Sequence, residues 1–381
     1  MKPFPTDARA KLERLAQAAQ YDLACACGPA QKRTRGPDDR WIYPAALPDG
    51  GTMPILKVLQ SSGCEKNCAY CVERAGGTGP RIDFSPDELA SLFADMAQSR
   101  QVGGLFLSSA IKKTAVTTMD RMLATVELVR FKYRFFGFIH LKIIPGAEES
   151  QILRAMELAN RVSVNLESPG NECLKKIAPA KDFDRHLQGA MKFVSEHLGQ
   201  EGLRCKSQTT QFVVGASDEN DGQIIDTLWH GYRKINLARG YFSAFQPAPG
   251  TPLEEKPPVP TMREHRLYQT DFLFRKYEFA LDDIVLDSTS NLSLDKDPKT
   301  LYAEHHPELF PMEINDATRK LLLRVPGIGP KGADNILRLR RQSRLGDLDA
   351  LKVAAPRWRI AAPYLLFNGR FRAGPVQLSL F

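Results

Sequence analysis

Long apolar runs are missing from this 381-residue sequence, and none approaches the roughly 18 residues needed to span a bilayer. The first residues, Met1-Lys-Pro-Phe-Pro-Thr-Asp, contain no apolar core typical of a secretory signal peptide. The seven cysteines are odd in number and form no disulfide-like framework, which favours a reducing compartment. We therefore predict a cytoplasmic protein, and its length allows more than one domain.

Acidic residues are scarce in one segment. Residues 316–375 contain 13 Lys and Arg against 4 Asp, a net charge of +9, whereas the whole chain carries +8. The rest of the chain is therefore nearly neutral. A basic excess confined to one segment predicts a polyanionic partner for that segment.

Three cysteines, Cys64, Cys68 and Cys71, have C-x3-C-x2-C spacing and follow the short apolar strand predicted at 55–59. Three thiolates can bind three irons of a [4Fe–4S] cluster. Because no fourth cysteine lies nearby, one iron would be open to a substrate or cofactor. The alternative is a zinc site or three structural thiols, although a structural zinc site normally takes four ligands in two spaced pairs.

This spacing, with Tyr70 directly before the third cysteine, resembles the signature of the radical S-adenosylmethionine (radical SAM) superfamily. The resemblance implies that the open iron binds the amino and carboxylate groups of SAM. One electron then splits SAM into methionine and a 5′-deoxyadenosyl radical. The resemblance also implies an α/β fold, a partial (β/α)6 TIM-like barrel with the cysteine loop after its first strand.

Strands alternate with helices from residue 53 to about 250, which predicts a parallel sheet. Six strands are predicted at 55–59, 104–107, 138–144, 161–167, 208–214 and 240–245. The third and fourth keep one polar face, as strands facing the lumen of a barrel would. Because barrel sites lie at the carboxyl ends of strands, the predicted SAM-binding residues are Tyr70, Ser108, Ser109, Lys142, Asn165 and Glu167. The superfamily's usual Gly-Gly-Glu after the second strand is replaced here by Ser108-Ser109-Ala110.

The segment 325–333, with Pro-Gly327-Ile328-Gly329 at its centre, resembles the helix-hairpin-helix motif of small all-α DNA-binding domains. Such a turn presents backbone N–H groups at a helix N-terminus, where they bind phosphate without reading bases. The predicted DNA-binding residues are Gly327, Ile328, Gly329, Lys331, Arg338 and Arg341. A helix pair for protein contacts is one alternative. Another is a DNA glycosylase using Lys331 and Asp349, but Asp349 lies in a predicted helix.

The last five residues, Gln377-Leu378-Ser379-Leu380-Phe381, resemble the peptide that binds the bacterial sliding clamp. Leu380 and Phe381 would fill an apolar cleft, while Gln377 would hydrogen-bond at its rim and Leu378 completes the motif. The alternative is a tail that folds back onto its own domain.

Across nearly its whole length the chain resembles the DNA modification/repair radical SAM proteins whose genes are often linked to a uracil-DNA-glycosylase-like protein. The predicted domains are a helical extension (1–52), the barrel (53–250), a helical connector (251–315), the helix-hairpin-helix domain (316–368) and a flexible tail (369–381). The resemblance implies a [4Fe–4S] cluster and SAM as cofactors. It implies as partners DNA, the sliding clamp, a reductant protein and the glycosylase-like protein.

Two other functions stay open: modification of RNA such as tRNA, and DNA binding by a non-catalytic iron–sulfur protein. The sequence indicates neither the atom attacked, nor whether SAM is consumed, nor the electron donor, nor the oligomeric state. The spacing of Cys25, Cys27, Cys173 and Cys205 indicates no second cluster.

Overall fold

The structure is a computed structural model that describes residues 6–19, 42–46, 51–77 and 79–371. The chain divides into two compact units, Met1–Glu264 and His265–Phe381. Among the described residues, no helix is long and apolar enough to cross a membrane.

Unit 1 (Met1–Glu264) is built on a curled, open seven-stranded sheet whose strands follow one another in chain order. The strands are β1 (Ile42–Ala46), β2 (Thr52–Leu59), β3 (Gly104–Ser108), β4 (Phe138–Lys142), β5 (Arg161–Ser163), β6 (Ser207–Val214) and β7 (Leu237–Ala244). The six strands β2 to β7 run parallel, which confirms the predicted α/β fold and agrees with a partial barrel. The antiparallel edge strand β1 was not predicted.

Alternation along the strands separates an apolar face from a polar face. Leu105, Leu107, Ile139, Leu141 and Val162 are all fully buried on one face. The opposite face of β4 and β5 carries His140, Lys142 and Ser163, as predicted, whereas on β3 it carries the buried Phe106 before Ser108. Successive side chains point to opposite sides of a strand, so this polar face is the one available to a polar ligand.

The fourth parallel strand is shorter than predicted. Regular pairing of β5 ends at Ser163, and only Glu167 pairs again, through a single bridge to Phe212. In between, the Leu166 N–H donates to the side-chain Oγ1 of Thr210 instead of to a backbone carbonyl. Glu167 itself has a left-handed backbone (φ +65°) that a regular strand does not contain.

One helix of unit 1 precedes the sheet in the chain, and the others lie between its successive parallel strands. The helices are α1 (Thr6–Ala18), α2 (Pro86–Gln98), α3 (Ala115–Glu127), α4 (Glu149–Leu158), α5 (Asn171–Ile177), α6 (Gly189–His197) and α7 (Asp221–Lys234). The sequence Ser85-Pro86-Asp87-Glu88 predicts a capping box at the start of α2, and the structure contains it: Ser85 Oγ accepts from the Glu88 N–H, and the Glu88 carboxylate accepts from the Ser85 N–H. Helices α2, α3, α4 and α6 pack side by side in one layer.

Unit 2 (His265–Phe381) is mainly helical and has its own core. Its helices are α8 (Thr261–Lys276, which begins in unit 1), α9 (Pro298–His305), α10 (Arg319–Leu322), α11 (Pro330–Arg340), α12 (Leu348–Ala354) and α13 (Trp358–Ala361). Three short strands, β8 (Met312–Glu313), β9 (Leu365–Phe367) and β10 (Arg370–Phe371), form a small sheet. Asn315 and Asp316 are residue types that favour a helix cap, but Thr318 caps α10, with its side chain accepting from the Leu321 N–H.

Candidate active site

The three cysteines of the motif lie in the loop between β2 and α2, at the carboxyl end of the first parallel strand. Cys64 is fixed at both its backbone and its sulfur. Its N–H donates to the Glu73 carbonyl (2.5 Å), and its sulfur accepts from the N–H groups of Ile111 (3.3 Å) and Lys66 (3.4 Å). Because Ile111 follows β3, the loop is tied to the ends of two neighbouring strands.

The thiols lie close enough to influence one another. Burial raises the pKa of the Cys71 thiol to about 12, and the charge of Cys68 acts in the same direction. Burial also raises the pKa of Cys68, which the charge of Lys181 opposes. Metal binding deprotonates such thiols and releases their protons. Three thiols in one loop, one of them accepting backbone hydrogen bonds at sulfur, fit a cluster held by cysteine thiolates.

A single-ion site is a poorer fit. In the part of the chain that the structure describes, no three His, Cys, Asp or Glu side chains are arranged to hold one metal ion. A [4Fe–4S] cluster needs no such arrangement, because each thiolate binds a different iron.

Glu167 and Lys181 form a buried ion pair beside the cysteine loop. Lys181 Nζ lies 2.8 Å from Glu167 Oε1, and the two side chains are only 10% and 7% exposed. Tyr70, in the cysteine loop, lies close enough for the charge of Glu167 to act on its hydroxyl. Burial, followed by the charge of Glu167, raises the pKa of Tyr70 well above its ordinary value, so this hydroxyl stays protonated.

Lys181 is the functional residue that the sequence reasoning missed. It lies in the turn after α5, where its N–H donates to the Ala178 carbonyl (2.9 Å). The cysteine loop reaches the same place, because the Ala69 N–H donates to the Ile177 carbonyl (2.7 Å). No residue pattern in this loop signals a site; only the fold brings Lys181 to Cys68 and Glu167.

Of the predicted SAM-binding residues, the structure brings Tyr70 and Glu167 near one another, since the charge of Glu167 raises the pKa of Tyr70. Ser108 and Lys142 end neighbouring strands β3 and β4, and Lys142 pairs with Ser163 on β5. Their strand ends share one edge of the sheet. Asn165 is buried, and Ser109 Oγ donates to the Ala110 carbonyl (2.7 Å). Roles in SAM binding stay predictions for all six residues.

The Gly327-Ile328-Gly329 turn joins α10 to α11 in unit 2. Gly327 has a positive φ of +82°, and an added Cβ would lie 2.7 Å from the Arg357 carbonyl oxygen. Lys299 on α9 supports the turn by donating from Nζ to the Ile328 carbonyl. The predicted basic residues around the turn, Lys331, Arg338 and Arg341, are all exposed.

The remaining residues singled out in the sequence belong to neither candidate site. Gln377, Leu378, Leu380 and Phe381 lie outside the described residues, as do Cys25 and Cys27. Cys173 on α5 and the buried Cys205 are free thiols.

Comparison with known proteins identifies the domain but not the reaction. Residues 58–228, which include the cysteine loop, Glu167 and Lys181, match the family model described as the Radical SAM superfamily. No curated protein matches this chain.

Several solved structures resemble the chain at low identity. Methylornithine synthase (PylB) matches with a TM-score of 0.48 at 16% identity, over 70% of this chain and 71% of that one. HydG, the FeFe-hydrogenase maturase from Carboxydothermus hydrogenoformans, matches with a TM-score of 0.46 at 14% identity, over 57% of this chain and 50% of that one. The methyltransferase TsrM from Kitasatospora setae matches with a TM-score of 0.41 at 12% identity, over 56% and 39%.

This chain thus spans about half the length of HydG. TM-scores below 0.5 are too low for these structures to indicate what the chain does. Residues 58–228 form a radical SAM domain, which indicates an enzyme, and the cofactors of that superfamily are a [4Fe–4S] cluster and S-adenosylmethionine.

Proposed function

We propose that this radical SAM enzyme acts on DNA, in its modification or repair. Cys64, Cys68 and Cys71 would hold the cluster, and the polar strand ends of unit 1 would hold SAM. When bound, the two cofactors supply a 5′-deoxyadenosyl radical. The observation that carries the choice of DNA is the glycine turn before α11, in the most basic part of the chain.

The turn has the features of a phosphate-binding helix-hairpin-helix. Gly329 is the N-cap of α11 and has no side chain to cover the helix end, and Pro330 occupies the first turn. The N–H groups of Lys331 and Gly332 therefore lie at an uncapped, electropositive helix N-terminus. Such an end binds an anion through backbone groups, which suits a phosphate of any nucleotide.

Exposed cations surround this helix end. Lys331 and Arg338 are seven residues apart, so they share one face of α11, and Arg341 follows at its end. Asp334, one of the few acids of the segment, is already paired with Arg319 (2.8 Å). The segment therefore keeps a basic surface around the turn, as a sequence-independent grip on a phosphate backbone requires.

RNA is the main competing substrate, because a phosphate grip does not by itself distinguish the two nucleic acids. The clamp-like residues 377–381 favour DNA, since a sliding clamp encircles duplex DNA. Binding of the full chain to a labelled duplex, with unlabelled duplex or tRNA as competitor, separates the two. We expect duplex DNA to compete better than tRNA; the reverse result would replace DNA with RNA.

Charge-removing variants test the grip itself. The triple substitution K331A/R338A/R341A should reduce duplex affinity at least tenfold at moderate salt, and should flatten the salt dependence by about 2 to 3 in log–log slope. Lys192→Ala, an exposed lysine on α6 of unit 1, is the matched control and should bind as wild type. Equal binding by the triple variant and wild type would remove the hairpin from the proposal.

Turnover tests whether DNA is the substrate. Anaerobic protein with a full cluster, reduced with dithionite, should form more 5′-deoxyadenosine from SAM when duplex DNA is added. Cys68→Ala supplies the blank. Product formation that DNA leaves unchanged, while another nucleic acid increases it, would contradict the proposal.

Partners outside the enzyme are proposals of the same kind. We propose that the tail Gln377–Phe381 binds the sliding clamp, and that a reductant protein and a uracil-DNA-glycosylase-like protein act with the enzyme. A chain ending at residue 376 should lose clamp binding in a fluorescence-polarisation assay while keeping duplex binding. Retained clamp binding would place the contact elsewhere.

A further inference from the structure

Lys181 is a buried cation that pairs with the carboxylate of Glu167, beside the loop whose thiols would hold the cluster. Its side chain is 10% exposed, and the 2.8 Å contact with Glu167 fixes its direction. The backbone bond from Ala69 to Ile177 fixes the cysteine loop against the segment that carries it. Neither group is therefore free to move away without breaking buried contacts.

The backbone places Lys181 beside the part of the loop that lies between the two inner cysteines, Cys68 and Cys71. The Ala69 N–H, directly after Cys68, donates to the Ile177 carbonyl (2.7 Å), and the Lys181 N–H donates to the Ala178 carbonyl (2.9 Å). Cys68 is buried and the side chains of the ion pair are at most 10% exposed, so charges interact more strongly here than in water. The ion pair is neutral as a whole, but its two charges act on a neighbouring cluster with opposite signs.

We propose that Lys181 raises the reduction potential of the cluster, and that Glu167 holds Lys181 in position while partly opposing its charge. The couple is the one-electron reduction of the [4Fe–4S] cluster from its 2+ to its 1+ state. Reduction adds negative charge, which a nearby cation stabilises, and charge near a cluster is one of the factors that set its potential. Because the pair is buried, salt screens this effect weakly.

This inference concerns electron uptake and does not depend on DNA being the substrate. It gives Lys181 a role that packing alone would not produce. A purely structural ion pair would change stability and cluster loading when mutated. Mutating a purely structural pair would not shift the reduction potential in opposite directions when the positive or the negative charge is removed.

The test is an EPR-monitored redox titration of cluster-loaded protein without SAM, using dithionite and mediators, with iron and sulfide measured for every variant. Lys181→Met removes the charge and keeps the aliphatic chain, so it should shift the midpoint potential to a more negative value. Lys181→Arg keeps the charge and should titrate close to wild type. Glu167→Gln keeps a hydrogen-bond acceptor but loses the negative charge, so it should shift the midpoint to a less negative value.

The double variant K181M/E167Q keeps the test decisive if Lys181→Met, with its unpaired buried carboxylate, fails to load a cluster. It should titrate below Glu167→Gln, because the two differ only in the lysine charge. An unchanged potential in a fully loaded Lys181→Met would overturn the proposal. So would a potential in the double variant equal to that of Glu167→Gln.

Discussion

Each unit buries a lysine beside its candidate site, and the two environments affect the lysine charge in opposite directions. In unit 1, burial alone would lower the pKa of Lys181, but the charge of Glu167 and the nearby thiols raise it above the ordinary value. In unit 2, burial lowers the pKa of Lys299 to about 7, with Asp297 opposing and Arg324 adding to the shift. The first lysine is a fixed charge, whereas the second loses its proton near physiological pH.

The partner, not the depth of burial, makes the difference. Lys181 faces a carboxylate at 2.8 Å. Lys299 donates to the Ile328 carbonyl and lies over the Tyr277 ring, with Nζ 4.7 Å from the ring centroid. A carbonyl carries only a partial negative charge, so it compensates less of the cost of burying an ammonium group than a carboxylate does. The lysine of unit 1 thus acts through its charge, whereas the lysine of unit 2 stabilises a turn by a hydrogen bond.

The largest expected effect is the loss of the cluster from unit 1. Cys68→Ala should abolish stable iron binding and all formation of 5′-deoxyadenosine, because a cluster held by only two cysteines loses a bond to one of its irons. Iron and sulfide analysis after anaerobic reconstitution measures the effect. Cys173→Ala, at a half-buried cysteine on α5, is the matched control and should load a full cluster. A Cys68→Ala protein with full iron content would show that another ligand holds the cluster.

Much of unit 1 could be predicted because its signals are local. Short apolar segments between helices, two of them with alternating polarity, predicted the six parallel strands, and the Ser85–Glu88 capping box predicted the start of α2. The cysteine spacing located the cluster loop. By contrast, β1 is an edge strand containing Pro44, a residue that disfavours strand prediction.

The ion pair could not be predicted, because it depends on contacts between segments distant in sequence. Glu167 was found as a polar strand end, but its left-handed backbone and its partner were not. Lys181 lies 14 residues after Glu167, in a loop that has no periodic pattern. In unit 2 the glycine turn was readable from the sequence, whereas its support by Lys299, nearly 30 residues earlier, was not.

The second largest effect should come from the turn in unit 2. Gly327→Ala places a Cβ 2.7 Å from the Arg357 carbonyl oxygen and 3.0 Å from the Ala361 nitrogen, in a backbone with φ +82°. The unfavourable backbone alone costs about 1–3 kcal/mol, and the close contacts add to it. We expect a lower urea midpoint and weaker duplex binding, measured on the same preparation.

Gly346→Ala is the control for this substitution. Gly346 lies between α11 and α12, and an added Cβ there would have no atom within 4 Å. It should therefore unfold and bind duplex DNA like wild type. A Gly327→Ala protein as stable as its control would mean that the turn adopts another conformation. The contrast between a lysine that supports a turn in unit 2 and a lysine that acts through its charge in unit 1 would then fail.

The smallest effect is the pH dependence that Lys299 gives to unfolding. In the unfolded chain this lysine titrates near its ordinary pKa of 10.5, while in the folded protein it titrates at about 7. Between these values the unfolded state binds a proton that the folded state has released, so the free energy of unfolding should rise as pH increases from about 7 toward 10.

Lys299→Met removes this contribution, so the stability difference between wild type and Lys299→Met should change with pH in the same direction. Urea midpoints at pH 7, 8 and 9 measure it, and Lys320→Met, at an exposed lysine, should leave the wild-type slope unchanged. Burial raises the pKa of the neighbouring Tyr277, so that hydroxyl stays protonated in the folded protein up to pH 9 and does not add to the measured change. Parallel pH profiles for wild type and Lys299→Met would mean that Lys299 stays charged when folded, as Lys181 does, and the opposition between the two lysines would disappear.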